Sequence, residues 1–475
     1  MKATASLCLA ALLGPFGAAR ANGPAIPVGA ARIDVTPAEP VHLINELGDD
    51  ESAGVAQRLF ARALAIGDDD AAVVLVSFDG IGVPAALAER AAARLKTSRG
   101  LERERFSLCA THTHWAPHLT GLLPTIWRGP LPPEQQEHAD AYTRALEDGI
   151  VAAAERALDA REPCEVRLAE GRADFTANRR LTETGRLTVD DALMFTWNPD
   201  APVDRRLPVL VASSVSEPEK VTAILFTVAC HNVAITGREI SGFKNRVHGD
   251  FAGLATEAVE ARHPEAVALC TIGCGGDQRP TPCGGLAVAR AHAEALADEV
   301  DALLAKDAGK PLRSAVTKAH RAETRLPLEP VPDRATLEKW AGDLASGSRG
   351  AVARGFLALA LLERLDRGDA AEESIPFGAT AWHFGDQCSM LFLDGEVTVD
   401  YADLIREKFG DYPRTWVTAY ANAIPCYIVS RRQVEAGGYE PGNSMFYYGH
   451  LRSFTPEVED RVMGAVAATF TASGE

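Results

Sequence analysis

Two kinds of hydrophobic pattern alternate along the chain. Continuous apolar runs rich in β-branched residues, such as AAVVLVSFDG at 71–80 and KVTAILFTVA at 220–229, are typical of strands buried on both faces. Between such runs lie stretches rich in Ala and Leu, which predict helices. The predicted helices cover 84–96, 133–160, 250–262, 284–306 and 455–470, and 334–367 is predicted to contain one or two more. The alternation predicts an α/β fold, a layered mixed sheet with helices on its faces.

Further strands are predicted where apolar runs end in turn residues. They are VGAARIDVTP at 28–37, RFSLCATHTH at 105–114, AVALCTIGCGG at 266–276, a strand pair within 379–399 and RTWVTAYANAIPCYIVS at 414–430. A helix that ends near Phe409 separates the last two. The sequence contains no internal repeat, low-complexity tract or long linker, which favours one elaborated domain over 22–475.

The first 21 residues have a different pattern. They contain one lysine, an apolar run and the AxA arrangement at 19–21 that signal peptidases accept. We interpret 1–21 as a secretory signal peptide, which predicts a secreted or periplasmic protein. A membrane anchor is the alternative, but Gly14 and Pro15 interrupt a run that is already short. No later segment is apolar for the ~20 residues that a transmembrane helix needs.

Composition and charge limit the kinds of molecule that the protein is expected to bind. Hydrophobic residues make up 47% and charged residues 24% of the chain, as in an ordinary globular protein. The formal net charge of −17 repels phosphate backbones and argues against nucleic acid as a partner.

The cysteines leave two questions open. Cys8 lies in the predicted signal, and some of the remaining eight could pair in an oxidising compartment. Cys274 and Cys283 bracket a short Gly/Pro loop that a disulfide could close. No CxxC motif occurs, which disfavours a zinc site made of thiolates.

Three histidines fall within CATHTHWAPH at 109–118. If the predicted strand continues through them, its period of two places His112 and His114 on one face. Such a pair can share a metal, or one can bind metal while the other handles a proton. The alternative is two polar residues at the edge of a sheet.

Three further segments carry candidate chemistry. His231 follows an apolar strand, where a single histidine is more commonly a hydrogen-bonded core residue. Two strands that each end in histidine would nevertheless meet at one rim of a sheet, which favours a metal site. Glu396 follows an Asp-Gly turn and is by itself typical of a solvated turn residue. The loop TIGCGGDQRP at 271–280 allows close backbone approach to a ligand but has no P-loop or GxSxG motif.

Together these stretches resemble the neutral/alkaline ceramidases, zinc amidases that hydrolyse the N-acyl bond of ceramide. The order and spacing of the motifs carry the resemblance over almost the whole domain. THTHWAP at 111–117 is similar to the family's SHTHSGP element, ACHNV at 229–233 to its ATHGT element, and DGEVTVDY at 394–401 to the element with a carboxylate ligand. PCYIVSRRQVEAGGYE at 425–440 resembles the segment with two active-site tyrosines, and ANRRL at 177–181 resembles an element with an active-site arginine.

The resemblance implies a role for each matched residue. The zinc ligands would be His112, His231, Glu396 and Tyr427. His114 and Tyr439 would stabilise the oxyanion or shuttle protons, and Arg179 would orient the substrate. Two imidazoles, a carboxylate and a phenolate suit Zn²⁺ with an open position for water. Zinc-activated water removes the need for a protein nucleophile.

The chain departs from the family in two places. The family's GDVSP element has a serine that contacts substrate, and Arg279 stands there in GGDQRP at 275–280. We predict that Gly276, Asp277 and Arg279 bind substrate, and the long cation changes the polarity and volume of the pocket. The ceramidases continue into a β-sandwich domain, whereas this sequence ends at Glu475.

Three functions are therefore compared. The first is a secreted zinc-dependent amidohydrolase acting on ceramide or a related N-acyl lipid. The second is a zinc hydrolase of a more polar or anionic amide or ester, which Arg279 would pair with. The third is a non-catalytic ligand-binding protein, disfavoured because every matched metal-ligand position is intact. His118 and His248 are either partners of the ligating histidines or surface residues, and the oligomeric state is left open.

Overall fold

A computed structural model describes residues 23–44, 50–127, 129–180, 197–236, 245–306, 308–345 and 348–471. The predicted signal peptide at 1–21 lies outside the described residues. In the part of the chain that is described, no helix is long and apolar enough to cross a membrane.

The strands and helices follow the order of the hydrophobic pattern. The strands are β1 Ile26–Asp34, β2 Phe60–Ile66, β3 Val73–Phe78, β4 Phe106–Ala110, β5 Glu162–Arg172, β6 Thr176–Asn178, β7 Arg206–Ser214, β8 Val221–Val228, β9 Val267–Ile272, β10 Gln278–Pro280, β11 Lys310–Pro311, β12 Lys318–Pro327, β13 Ser374–Phe384, β14 Cys388–Leu393, β15 Glu396–Val397, β16 Thr415–Thr418 and β17 Tyr427–Ile428. The helices are α1 Ala85–Arg99, α2 Pro133–Asp159, α3 Asp250–Arg262, α4 Leu286–Ala305, α5 Arg334–Ala341, α6 Arg349–Asp366, α7 Asp400–Phe409, α8 Arg431–Ala436, α9 Ser444–Tyr447 and α10 Val458–Thr471.

A large mixed sheet forms the centre of the molecule. Its hydrogen-bonded order is β4-β3-β2-β1-β5-β7-β8-β9, with β11 added beside β5. The pairs β3–β4 and β8–β9 are parallel, and the other pairs are antiparallel. The sheet curves until its two ends approach each other, since the Ser77 hydroxyl on β3 donates a hydrogen bond to the Cys270 carbonyl on β9.

A second sheet packs against one face of the first. Its order is β12-β13-β14-β16, with β14 and β16 parallel. Trp382, Phe392 and Trp416 of this sheet share a buried core with Val28 and Leu64 of the large sheet. Helices α1 to α4 contribute to the core on the other side of the large sheet, and α10 packs on β12 and β13. The layered α/β prediction is confirmed.

Two sequence predictions need correction. The strand at 105–114 ends at Ala110, because His112 has a left-handed φ of 58° that no continuing strand allows. The segment 414–430 is two short strands, β16 and β17, since positive φ at Tyr420 and Asn422 turns the backbone between them. The range 334–367, predicted to contain one or two helices, contains α5 and α6.

Disulfide pairing of the cysteines is also not found. The eight cysteines of the described residues are all free thiols. Cys274 is buried, and the sulfur of Cys283 instead accepts a hydrogen bond from the Arg279 guanidinium.

A buried ion-pair network joins the large sheet to α3. The Arg62 guanidinium lies 3.0 Å from the Asp79 carboxylate and 3.3 Å from that of Glu260, and its side chain is 3% exposed. Asp79 also accepts a hydrogen bond from the Thr111 hydroxyl at 3.4 Å. This network therefore ties the core to the residue that precedes His112.

We predict that Arg62→Met lowers the free energy of unfolding by about 3–5 kcal/mol, because it leaves the buried Asp79 carboxylate without its cation, while Glu260 keeps its ion pair with Arg32. Urea denaturation followed by circular dichroism measures the change. The matched control is Arg58→Met, which removes the exposed pair between Arg58, 72% exposed, and Asp34. That change should cost less than about 1 kcal/mol, and equal losses in the two variants would contradict the prediction.

Candidate metal centre

His112 lies just beyond β4, where its positive φ turns the chain away from the strand. Its Nδ1 lies 2.6 Å from the Ile81 carbonyl oxygen. Because a carbonyl only accepts, Nδ1 donates this hydrogen bond, and Nε2 is the ring atom that faces the other site residues. His114 lies beside it, with the two Nε2 atoms 3.3 Å apart. The rings of His112 and His114 lie close together, as the sequence predicted, although both residues follow the end of β4 and are not part of a strand.

His231 is held in the same way at the end of β8. Its Nδ1 lies 2.6 Å from the Gly275 carbonyl oxygen, which again leaves the Nε2 lone pair free to bind. Burial, assisted by the positive charge of Arg179, lowers the pKa of His231 to about 4. The ring is therefore neutral at neutral pH.

Glu396 opposes both rings from the short strand β15. Its Oε2 lies 3.2 Å from His112 Nε2 and 3.1 Å from His231 Nε2. Burial alone would raise the pKa of Glu396, but the neighbouring histidines hold it well below its usual range. Two tyrosine hydroxyls donate to the carboxylate: Tyr420 at 3.3 Å, and Tyr448.

The result is a buried cluster of atoms that can each bind a metal ion. The Nε2 atoms of His112 and His231 converge on a carboxylate oxygen of Glu396. His112, His114 and His231 form a group that could hold a metal ion, with their ligand atoms within 4.8 Å of one another. The donor set of nitrogen and carboxylate oxygen fits a transition-metal ion such as zinc.

Tyr427 and Arg179 adjoin this cluster. The Tyr427 hydroxyl lies 3.0 Å from His231 Nε2, because β17 pairs with β15 and places Tyr427 opposite Glu396. Arg179 Nη2 donates to the Tyr427 hydroxyl at 3.2 Å and to the Gly276 carbonyl at 2.9 Å. The guanidinium carbon lies 5.7 Å from the ring centroids of Tyr427 and Tyr439. Six residues singled out in the sequence are thus brought together: Arg179, His231, Gly276, Glu396, Tyr427 and Tyr439.

Glu440 is a site residue that the sequence analysis missed. It is 1% exposed, and its Oε1 accepts from Arg179 Nε at 3.0 Å while its Oε2 accepts from Arg180. It fixes the direction of Arg179. In the sequence, the sign that Glu440 belongs to the site was its position directly after Tyr439. The carboxylate-facing roles of Tyr420 and Tyr448 were also missed, because tyrosines in such a segment are by default packing residues.

The loop at 275–280 lies against the centre through its backbone. A Cβ at Gly276 would lie 2.6 Å from the Glu396 carbonyl oxygen, so only glycine allows this approach. Asp277 is fully buried, and its carboxylate accepts from Val399 N at 2.9 Å and from Gln433 Nε2 at 2.8 Å. Arg279 is buried and directed at Cys283. Substrate binding by these residues stays a prediction.

The two unassigned histidines are both buried, which excludes the surface alternative. His118 Nε2 lies 2.8 Å from the Leu122 carbonyl oxygen, and its ring packs on Trp127. His248 receives a hydrogen bond from the Thr113 hydroxyl at its carbonyl, at 2.8 Å. His248 thereby supports the loop that carries His112 and His114.

The overall architecture is that of the neutral ceramidases. The chain superimposes on the crystal structure of neutral ceramidase from Pseudomonas aeruginosa with a TM-score of 0.66 and 18% sequence identity, covering 96% of this chain and 76% of that one. A structure described as ceramidase complexed with C2 gives a TM-score of 0.64 at 17% identity, covering 95% and 76%. No protein-family model and no curated protein matches the chain. Similarity at this identity establishes the fold alone.

We predict that Gly276→Ala lowers the free energy of unfolding by about 1–3 kcal/mol, because the new methyl group collides with the backbone that carries Glu396. Thermal and urea denaturation measure the loss. Gly285→Ala is the control, since a Cβ there meets nothing within 4 Å, and its effect should stay within about 0.5 kcal/mol. A Gly276→Ala protein as stable as this control would refute the close contact.

Proposed function

We propose that the protein is a zinc-dependent amidohydrolase that cleaves the N-acyl amide bond of ceramide or a related N-acyl lipid. One observation carries the proposal: in a buried site, Glu396 Oε2 lies 3.2 Å from His112 Nε2 and 3.1 Å from His231 Nε2, and the Tyr427 hydroxyl lies beside His231. The ceramidase-like fold supports the same reaction class.

The proposed zinc ligands are His112, His231, Glu396 and Tyr427. A bound zinc ion would supply an activated water molecule and polarise the carbonyl group of the substrate. The protein itself holds the atoms that would bind the zinc ion in fixed positions. The Ile81 and Gly275 carbonyls hold the two imidazoles, and the hydroxyls of Tyr420 and Tyr448 hold the carboxylate. Such supporting contacts orient ligands and tune their basicity.

The proposed roles in catalysis belong to His114, Tyr439 and Arg179. Burial, together with the adjacent His112, holds the pKa of His114 well below its usual range. A neutral His114 can accept a proton and pass it to the leaving amine. The Tyr439 hydroxyl donates to the developing oxyanion. Arg179, fixed by Glu440 and by the Gly276 carbonyl, orients the substrate.

The proposal also covers the loop that binds the substrate and the export of the protein. Gly276, Asp277 and Arg279 are proposed to line the substrate site next to the ligands. Residues 22–475 are proposed to act as the catalytic domain, and 1–21 as the signal that directs export of the protein to the periplasm or the medium.

We expect His112→Ala and His231→Ala each to remove stoichiometric zinc from the purified protein, because each deletes one of the converging lone pairs. Inductively coupled plasma mass spectrometry measures zinc per chain. His263→Ala is the matched control. That histidine pairs with Asp301 at 2.8 Å just beyond the C-terminal end of α3, and its loss should leave zinc unchanged. Full zinc occupancy in either site variant would refute the ligand assignment.

Tyr439→Phe and His114→Ala should retain zinc and lower kcat by about 10²–10⁴-fold, since each removes a group that acts on the reacting amide. The assay measures fatty-acid release from a panel of N-acyl amides, neutral and anionic, with and without chelator. Tyr412→Phe is the control, because its hydroxyl bonds the Ala169 carbonyl in the fold. Absence of chelator-sensitive turnover on every member of the panel would favour a binding protein instead.

A further inference from the structure

The chain at 248–252, where α3 begins, hydrogen-bonds to two segments that carry candidate metal ligands. The first segment is 112–115. The Thr113 hydroxyl donates to the His248 carbonyl at 2.8 Å, and His248 N donates to the Trp115 carbonyl at 3.0 Å. The loop that carries two of the site histidines is therefore attached to the start of α3.

The second segment is 232–235, which directly follows His231. The Asp250 carboxylate accepts from Ala234 N at 3.1 Å through one oxygen and from Ile235 N at 3.0 Å through the other. Both oxygens of this side chain thus bind the backbone of one segment. The first residue of α3 therefore holds the chain that leaves His231.

Asn232 attaches the same segment to α3 a second time. It is the residue next to His231 in the sequence. Its amide group donates to the Gly249 carbonyl at 2.9 Å, and its amide oxygen accepts from Ala252 N at 3.1 Å. The backbone beside the histidine is therefore fixed by both ends of one amide group.

Water cannot replace these contacts. Asp250 and Asn232 are both 0% exposed. Phe251 N also donates to the Asp250 carboxylate, at 2.7 Å. A buried N–H group that loses its acceptor stays unpaired, and hydrogen bonds to a charged acceptor are among the stronger ones. Loss of the carboxylate is therefore expected to let the segment after His231 shift.

A further contact joins the two histidine segments directly. The Trp115 indole Nε1 donates to the Ile235 carbonyl at 3.0 Å. The start of α3, the loop at 112–115 and the segment at 232–235 therefore hold one another in place. Contacts that orient metal-binding histidines set the affinity for the metal, and their loss typically weakens binding about 10–100-fold.

We propose that Asp250 and Asn232 are positioning residues of the metal centre. They act through the backbone of the segment that follows His231 rather than by binding the metal themselves. This inference rests on the proposed function, because it takes His112 and His231 as zinc ligands. A purely structural role would instead change the stability of the fold and leave the affinity for zinc unaltered.

The test measures zinc affinity in the full chain. Asp250→Asn suits the left-handed φ of 53°, but its amide group turns a donor toward the N–H of Ala234 or Ile235. Burial raises the pKa of Asp250 to about 7, so the measurements are made at pH 8, where the carboxylate is ionised. Competition with a chromogenic chelator gives the Kd for zinc, which should rise about 10–100-fold. The absorption bands of the cobalt-substituted protein should also change, because the ligands are displaced.

Two further variants accompany this one. Asn232→Ala removes the other attachment of the same segment and should weaken zinc binding in the same direction. It decides the matter if Asp250→Asn fails to fold. Val259→Ala is the control, since Val259 is fully buried in α3 and takes no part in the hydrogen bonds above. Its truncation lowers stability but should leave the zinc Kd and the cobalt spectrum unchanged.

Two results would overturn the inference. The first is an unchanged zinc Kd and cobalt spectrum in the folded Asp250→Asn or Asn232→Ala protein. The second is a Val259→Ala protein that loses zinc affinity as strongly as these variants, since stability alone would then explain the loss. A wild-type protein that binds no zinc would refute the proposed ligand set together with this inference. Tight zinc binding by the wild type and by both variants refutes only the positioning role.

Discussion

The backbone of Ala419–Asn422 bridges the two ends of the large sheet, and the candidate metal centre depends on this contact. Ala419 N donates to the Ile272 carbonyl at the end of β9, at 2.8 Å, and Ala110 N at the end of β4 donates to the Tyr420 carbonyl at 3.2 Å. Strands β4 and β9 are the outermost strands in hydrogen-bonded order. Curvature and this bridge bring histidines that follow β4 and β8 into one cluster.

Bringing them together concentrates possible ligand atoms in one buried site. The Nδ1 atoms of both imidazoles donate to main-chain carbonyls, so that both Nε2 atoms face the Glu396 carboxylate. Burial lowers the pKa of His231 to about 4, so this ring is neutral near pH 7. Neutral imidazoles and a carboxylate are the ligands that a metal ion such as zinc accepts.

The segments that build the metal centre also line a cavity between α1, β12 and β13. Asp394 lines this cavity, while Glu396, two residues later, opposes the histidines. Asn422 lines it as well, while Tyr420 donates to Glu396. Positive φ at Gly395 and at Asn422 turns the backbone at both places.

The sequence by itself determined the layered α/β fold and most helix positions, because the apolar runs of β3 and β8 and the Ala-rich helices are local patterns. It also singled out His112, His114, His231, Glu396, Tyr427, Tyr439 and Arg179. Only the tertiary structure decided that β4 ends at Ala110, that Glu440 fixes Arg179, and that Tyr420 and Tyr448 donate to Glu396. These contacts join residues far apart in the chain, through left-handed turns that hydrophobic periodicity does not encode.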